Sequence, residues 1–231
     1  MATAIAEIIS EAMIYIDDVR LQEQLDVNPA LFYRRTSAYV SAAMPLLTSP
    51  PELYKHIVGG YVEPQYNTFT WTTTSASTTQ ETEVDTGCVG YDLCSVVIYS
   101  DDGQFVTPYT EATYDPETGI VTFPQQTEVG IEYELDFYKD GEVNTLTFSM
   151  KRLFGLAIAI VWDERFNRNW LNITPKVKDS TFSTVNESTY IDKLSNRMKE
   201  NRQEFQDELR KYEQVNAYLN VNRTKSHWSL N

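Results

Sequence analysis

The chain has 231 residues, 42% hydrophobic and 13% aromatic, with 33 acidic against 19 basic residues and a net charge of −14. That length and apolar content suffice for one large or two modest domains and exclude a disordered chain. The negative charge makes the most acidic surface a poor ligand for phosphate backbones or anionic lipid, because repulsion reaches about 8 Å at physiological salt.

The acids are gathered rather than mixed. From Gly60 to Phe148 sixteen acidic residues stand against one base, Lys139. Residues 1–59 carry seven acids and four bases, 149–185 three and six, and 186–231 seven and eight. The opening MATAIAEIISEAM has no basic n-region and meets Glu7, so it does not read as a secretory signal. The longest apolar stretch, Leu153 to Trp162, is half of the roughly 20 residues a spanning helix needs, so no membrane partner is expected. Cys88 and Cys94 read as free thiols of a protein made in the cytoplasm, where the sequons at Asn172, Asn186 and Asn222 carry no meaning.

In chain order, Ile5, Ile8, Ile9, Ala12, Met13, Ile16 and Val19 form a helical stripe ending near Gln24. Asn28-Pro29 is an N-cap followed by proline at the first helical position, predicting a second helix to about Met44. A short helix from about Pro51 to Val58 stops at Gly59-Gly60. The period then changes from 3.6 to 2. Tyr66–Thr72 reads as a strand, Thr73–Glu83 as a mobile Thr/Ser loop with almost nothing to bury, and Ser95–Tyr99 as a strand turned by Asp101-Asp102-Gly103 into Phe105–Tyr109. Asp115–Gly119 turns into Ile120–Phe123. From Gly130, Ile131, Tyr133, Leu135 and Phe137 alternate with Glu132, Glu134, Asp136 and Tyr138, predicting one buried face and one acidic, solvated face. Asp140-Gly141 returns the chain through Glu142–Phe148.

Helix resumes near Ser149, and Leu153, Phe154, Leu156, Ala157, Ile158, Ile160, Val161 and Trp162 predict a central helix buried on most sides. An irregular connection from Asn172 leads to a long helix capped by Asn186 or Ser188 and running to about Leu219. Its narrow stripe of Tyr190 or Ile191, Leu194, Met198, Phe205, Leu209, Tyr212 and Tyr218 is suited to a partner. Val221–Asn231 leaves that pattern as a polar tail. The fold class is therefore α+β: a discontinuous helical domain, residues 1–59 and 149–220, with N- and C-terminal helices packed together. A small antiparallel β-sandwich or barrel, residues 60–148, is inserted in it, and an extended arm, 221–231, follows.

Chemistry is sparse. His56 and His227 belong to no metal spacing, Cys88 and Cys94 lack a second ligand pair, and there is no phosphate loop, dinucleotide glycine pattern or nucleophile elbow. The acid pairs Asp101/Asp102, Asp115/Glu117 and Glu132/Glu134 could serve a glycosidase, but turns and a solvated strand face account for them. Tyr66, Phe69, Trp71, Tyr99, Tyr109 and Tyr114 offer either a sugar-stacking platform or sandwich core, with core the stronger reading. No enzyme activity, cofactor or metal is expected.

The opening helix with RRTSAYVSAAMPLL, the central KRLFGLAIAIVWDERFNR helix and the terminal arm make the chain similar in layout to small head-tail connector (adaptor, neck) proteins of tailed bacteriophages. Its VVIYSDDGQFVTPYTEATYDPETGIVTF and VGIEYELDFY segments resemble β-modules of phage virion proteins. The resemblance implies a virion protein assembled in the host cytoplasm into a homo-oligomeric ring, commonly of about twelve subunits, beneath the portal. Portal and adjoining neck or tail proteins would be its partners, with DNA passing through unbound. Arg223, Lys225, His227 and Trp228 are then the expected docking residues. A glycan- or receptor-binding virion component, or another neck or tail-completion ring protein, is the alternative.

Overall fold

The computed structural model describes residues 2–16, 18–99, 106–173 and 185–228, with the backbone alone for 166–173, 185–194 and 219–228. In chain order the elements are β1 (Thr3–Ala4), α1 (Ile5–Ala12), α2 (Val19–Val27), α3 (Pro29–Thr36), α4 (Ala38–Ala43), a 3-10 turn (Met44–Leu47) and α5 (Pro51–Val58). Then come β2 (Gln65–Thr72), β3 (Thr82–Asp85), β4 (Asp92–Tyr99), β5 (Val106–Pro108), β6 (Thr113–Asp115), β7 (Ile120–Phe123), β8 (Glu132–Lys139) and β9 (Glu142–Val143). Two long helices close the chain, α6 (Phe148–Ile173) and α7 (Val185–Trp228). The class is α+β with antiparallel sheets. Among the described residues no helix is long and apolar enough to cross a membrane.

The chain divides into two compact units, one of residues 1–18, 38–61 and 143–231 and the other of residues 19–37 and 62–142. The expected boundary of the β-block was therefore incomplete: α2 and α3, assigned from sequence to the helical part, belong with the sheets. Phe32 of α3 and Leu21 of α2 are buried, and polar contacts fix α3 in place. Asn28 caps α3 by accepting from the Leu31 amide at 3.0 Å and donates through Nδ2 to the Cys94 carbonyl at 2.7 Å. That carbonyl is available because the β4/β8 register shifts between Leu93 and Ser95, so Cys94 drops out of the ladder.

In this unit the sheets run β2-β8-β4-β5 and β3-β7-β6. They share one hydrophobic cluster, Cys88, Val96, Val121, Phe123, Tyr133, Leu135 and Phe137, walled by Phe69, Trp71, Val84 and Tyr114 among others. The alternation read from β8 is correct on that face. On the other, the expected solvated acids are partly covered. Asp136 meets Arg34 of α3 at 2.5 Å and accepts from Thr68 Oγ1 at 2.8 Å and Ser95 Oγ at 3.2 Å, its cross-strand neighbours on β2 and β4. Tyr138, expected on the solvated face, is buried. The Thr/Ser tract differs too. Thr73 and Ser77 are buried, Thr73 Oγ1 accepts from the Ile131 amide at 2.9 Å, and the Ser77 carbonyl takes the Gln126 amide at 2.8 Å. Hydroxyls satisfying local backbone groups let a segment with little apolar content take a fixed place. Gly119, at φ 75°, ends the Asp115 turn where a Cβ would meet the Cys88 and Val89 backbone at 3.2 Å.

In the helical unit every residue from Leu153 to Ile160 is buried. α1 supplies Ile5, Ile8, Ile9 and Ala12 to the core, α4 and the 3-10 turn supply Val40, Ala43, Met44 and Leu47, and α7 supplies Phe205 and Leu209. α1, α4 and α7 all pack on α6. The α1 contact is closest at Gly155, where a Cβ would sit 3.0 Å from Glu11 Cγ and 3.1 Å from the Ala12 amide nitrogen. The second predicted helix is broken into α3, α4 and the 3-10 turn, and the expected extended arm from Val221 is instead helical through Trp228.

Gly155→Leu forces α1 off α6 and is expected to lower unfolding free energy by about 3 kcal/mol, near the upper end for overpacking. Urea denaturation followed by far-UV circular dichroism measures it, and an unchanged midpoint would show that the helices do not approach this closely.

Candidate assembly surface

The residues singled out for chemistry scatter. Asp115 accepts from the Glu117 amide at 3.0 Å and Thr118 Oγ1 at 2.8 Å, a turn device that holds its carboxyl below the ordinary range, with the Thr118 hydroxyl the larger cause. Glu134 accepts from Tyr99 OH at 3.1 Å and Glu132 is exposed, while Asp101 and Asp102 lie outside the described residues. Trp71 stacks on Phe123 at 4.1 Å between centroids, and Tyr109 and Tyr114 lie against Tyr133 and Phe137. Phe69, Trp71, Tyr109 and Tyr114 are therefore core walls. Tyr66 and Tyr99 alone of the six stay exposed, which is no platform for a sugar ring.

The thiols are buried and unpaired with each other. Burial, reinforced by Asp136 and Asp92 and opposed by Arg34, pushes Cys94 up to about 12, so it is not a nucleophile at neutral pH. Burial likewise raises Tyr114 to about 12, its hydroxyl donating to the Cys88 carbonyl at 2.5 Å. His56 makes a 2.9 Å hydrogen bond between Nε2 and the Thr145 carbonyl, and Asn144 Nδ2 returns one to the His56 carbonyl at 2.8 Å. Its ring serves to tie α5 to the segment after β9. Among the described residues no cluster of three metal-capable side chains occurs.

What the structure does build is an antiparallel helix pair. Near the middle of α6, Asp163 is 2% exposed and accepts from Arg197 Nη2 at 2.6 Å and Asn201 Nδ2 at 2.9 Å, both on α7. Glu164 meets Arg202 at 2.5 Å, and toward the start of α6 Arg152 meets Glu204 at 2.8 Å and Glu208 at 3.6 Å. The Glu204 hydrogen bond, with Glu208 nearby, raises Arg152 further above its ordinary value. Phe205 and Leu209 fill the seam between these polar contacts. Asp163 is the first acid after the apolar run of α6, with Glu164 next to it. Sequence reading passed over it because a charge at the end of such a run is indistinguishable from one facing water.

α6 begins at Phe148, one turn before Arg152, whereas α7 continues from Glu208 to Trp228. At a rise of about 1.5 Å per residue, the helix runs some 24 Å beyond the start of its partner. Val215 and Tyr218, on that extension, are 59% and 68% exposed. The expected docking residues Arg223, Lys225, His227 and Trp228 occupy its last two turns, and their side chains lie outside the described residues. No protein-family model matches the chain, and no curated protein matches its sequence.

Asp163→Ala leaves Arg197 and Asn201 without their shared acceptor inside the seam, and a loss of about 3 kcal/mol is expected by urea titration. A loss under about 0.5 kcal/mol would remove the clasp from the account. A second expectation concerns pH. The fold holds Cys94 as the thiol, so its contribution is intact below about pH 9 and is lost as pH rises toward 12, the unfolded chain ionising first. Native protein should show no fast-reacting thiol at pH 8 and two in guanidinium, and Cys94→Ala should flatten the alkaline fall in urea midpoint.

Proposed function

We propose that this chain is a structural virion protein of a tailed phage, a head-tail connector subunit that joins portal to tail as part of a homo-oligomeric ring. Its helical part is a discontinuous domain whose N- and C-terminal helices converge on α6, and the acidic sandwich, with α2 and α3, is the module inserted in it. The observation that carries this reading is the reach of α7 past the start of α6: a helix anchored on α6 by Asp163 and Arg152 and continuing for about four turns, with Val215 and Tyr218 exposed. On this stretch Glu213 accepts from Ser49 Oγ at 3.0 Å, and the exposed Val215 and Tyr218 are what a neighbouring subunit or portal ring would cover. Lysine, arginine and tryptophan near its end suit an interface core and rim. The acidic module supports the same assignment, since a negative surface lets DNA slide past without adhering. A glycan-binding module is disfavoured because its aromatic residues are spent on the sandwich core.

The test is binding to the portal protein encoded in the same genome, with the chain localised to the virion neck by labelling. The triple variant Arg223→Glu, Lys225→Glu, Trp228→Ala should keep wild-type circular dichroism and lose portal affinity at least about tenfold. A wild-type chain that ignores portal and neck proteins, or a triple variant that binds them as well as wild type, contradicts the proposal.

A further inference from the structure

One face of the sandwich is covered by a helix at one end and open at the other. The outward face of the four-stranded sheet follows from its register: Glu132, Glu134, Asp136 and Tyr138 of β8 lie beside Thr72, Thr70, Thr68 and Tyr66 of β2. On the other side Glu134 meets Val97 of β4, Asp136 meets Ser95 and Tyr138 meets Asp92, while β5 sets Pro108 beside Val97 and Val106 beside Tyr99. α3 crosses this face strand by strand. Asn28 reaches the Cys94 carbonyl of β4, Arg34 reaches Asp136 of β8, and Ser37, just past the helix, hydrogen-bonds Tyr66 OH of β2. Tyr138, in the same part of the face, is buried.

The other end of the face is open. Thr70, Thr72, Tyr99, Val106, Pro108 and Glu132 are exposed, and Val97 and Glu134 are half-buried, with Glu134 accepting from Tyr99 OH at 3.1 Å. Two carboxylates two residues apart on the central strand therefore stand between apolar residues of β4 and β5 and threonines of β2. Glu132 lies about 14 Å along β8 from Asp136, and the four strands span about 14 Å across, which is room for one more helix about 10 Å wide beside α3. α3 shows what this face asks of a helix: a buried apolar side chain, Phe32, and a cation on the central strand's carboxylate, Arg34.

We infer that the open half of this face receives the end of α7 from a second copy, in a head-to-tail contact. Charge selects the occupant: a helix that lies over Glu132 and Glu134 must bring cations and apolar side chains and no acid. Arg34, Lys151 and Arg152 are already engaged with Asp136, Glu7 and Glu204. From Gln214 onward the sequence has no acid, and Tyr218, Val221, Lys225 and Trp228 follow at steps of three, four and three on one face of α7, with Arg223 close by in sequence. Lys225 then meets the carboxylate pair, and the apolar residues cover Val97, Tyr99, Val106 and Pro108. The arriving segment sets the sign of the interaction, because charges of the second copy more than about 8 Å from the contact are screened at physiological salt. Two different surfaces meet, so the contact is heterologous and passes from copy to copy, as a closed ring requires. It shares the end of α7 with the connector reading but needs only that copies meet. In dilute chain it is weak, being built from few charge pairs and a small apolar patch, and it strengthens where copies are gathered side by side.

The experiment is sedimentation velocity of the full chain over a rising concentration series. Wild type should climb from 26.6 kDa to larger masses and fall back in about 1 M sodium chloride, where the screening length is about 3 Å. Glu132→Lys with Glu134→Lys on the sheet, or Arg223→Glu with Lys225→Glu on α7, should weaken association at least about tenfold while circular dichroism stays native. Mixing the two double variants should restore it, since each then offers the other an opposite charge at both contacts. If the sheet variant fails to fold, Glu132→Gln with Glu134→Gln carries the test, because it removes the charge, keeps the shape and should weaken association too. A wild type at 26.6 kDa at every concentration, a double variant that associates as wild type does, or a mixture that stays apart overturns the inference. A chain that associates in this way and ignores portal keeps the inference and contradicts the connector reading. A chain that binds portal while the sheet variants leave its self-association unchanged does the reverse.

Discussion

A helix that is apolar on every side cannot exist alone in water, and the helical unit is organised by that constraint on α6. Residues Leu153 to Ile160 are buried without a break, so partners must arrive from several directions at once. They come from distant parts of the chain: α1 and α4 from the first fifth and α7 from the last. Gly155 lets α1 reach backbone contact, and the Asp163 clasp fixes which part of α7 lies opposite α6. A buried carboxylate held by an arginine and an amide is a register device as much as a source of stability, because sliding α7 by one turn would strand it. The reach of α7 past the start of α6 follows from that register.

The sandwich solves a different problem. Fifteen net negative charges on one β-module would repel each other most where strands lie side by side, and Asp136 sits in the middle of its sheet. Arg34 supplies the opposing charge from α3, while Thr68 and Ser95 on the flanking strands supply hydroxyl donors. Asn28 places α3 for this by using the one carbonyl that the irregularity at Cys94 releases. A cap, a bulge and an ion pair, with Phe32 buried, hold α3 on the strands, and α2 packs on α3.

Periodicity and residue type made the alternation on the core face of β8, the turn at Asp115, the Asn28 cap and the apolar run of α6 legible in the sequence, because each is a local property of a few residues, whereas α7 begins at Val185, ahead of the expected caps Asn186 and Ser188. The break between α3 and α4 and the Asp136 contacts were not legible, since both depend on residues dozens of positions apart. The Thr/Ser tract misled because its order comes from hydroxyl–backbone bonds rather than apolar burial. The tail misled in a similar way: Val221 to Trp228 lacks an apolar stripe, yet α7 continues through it. Of the assembly surface, the candidate residues were legible by type, and their placement on a projecting helix was not.

The central claim is that the end of α7 is the surface this protein uses for assembly. Hydrogen–deuterium exchange on the full chain, alone and after mixing with the portal protein that the proposed function calls for, tests that most directly. The account predicts that backbone exchange beyond Tyr212 slows sharply in the complex while the α6–α7 seam around Asp163 is slow in both states. Unchanged fast exchange at the end of α7, with new protection confined to the acidic sandwich, would contradict it.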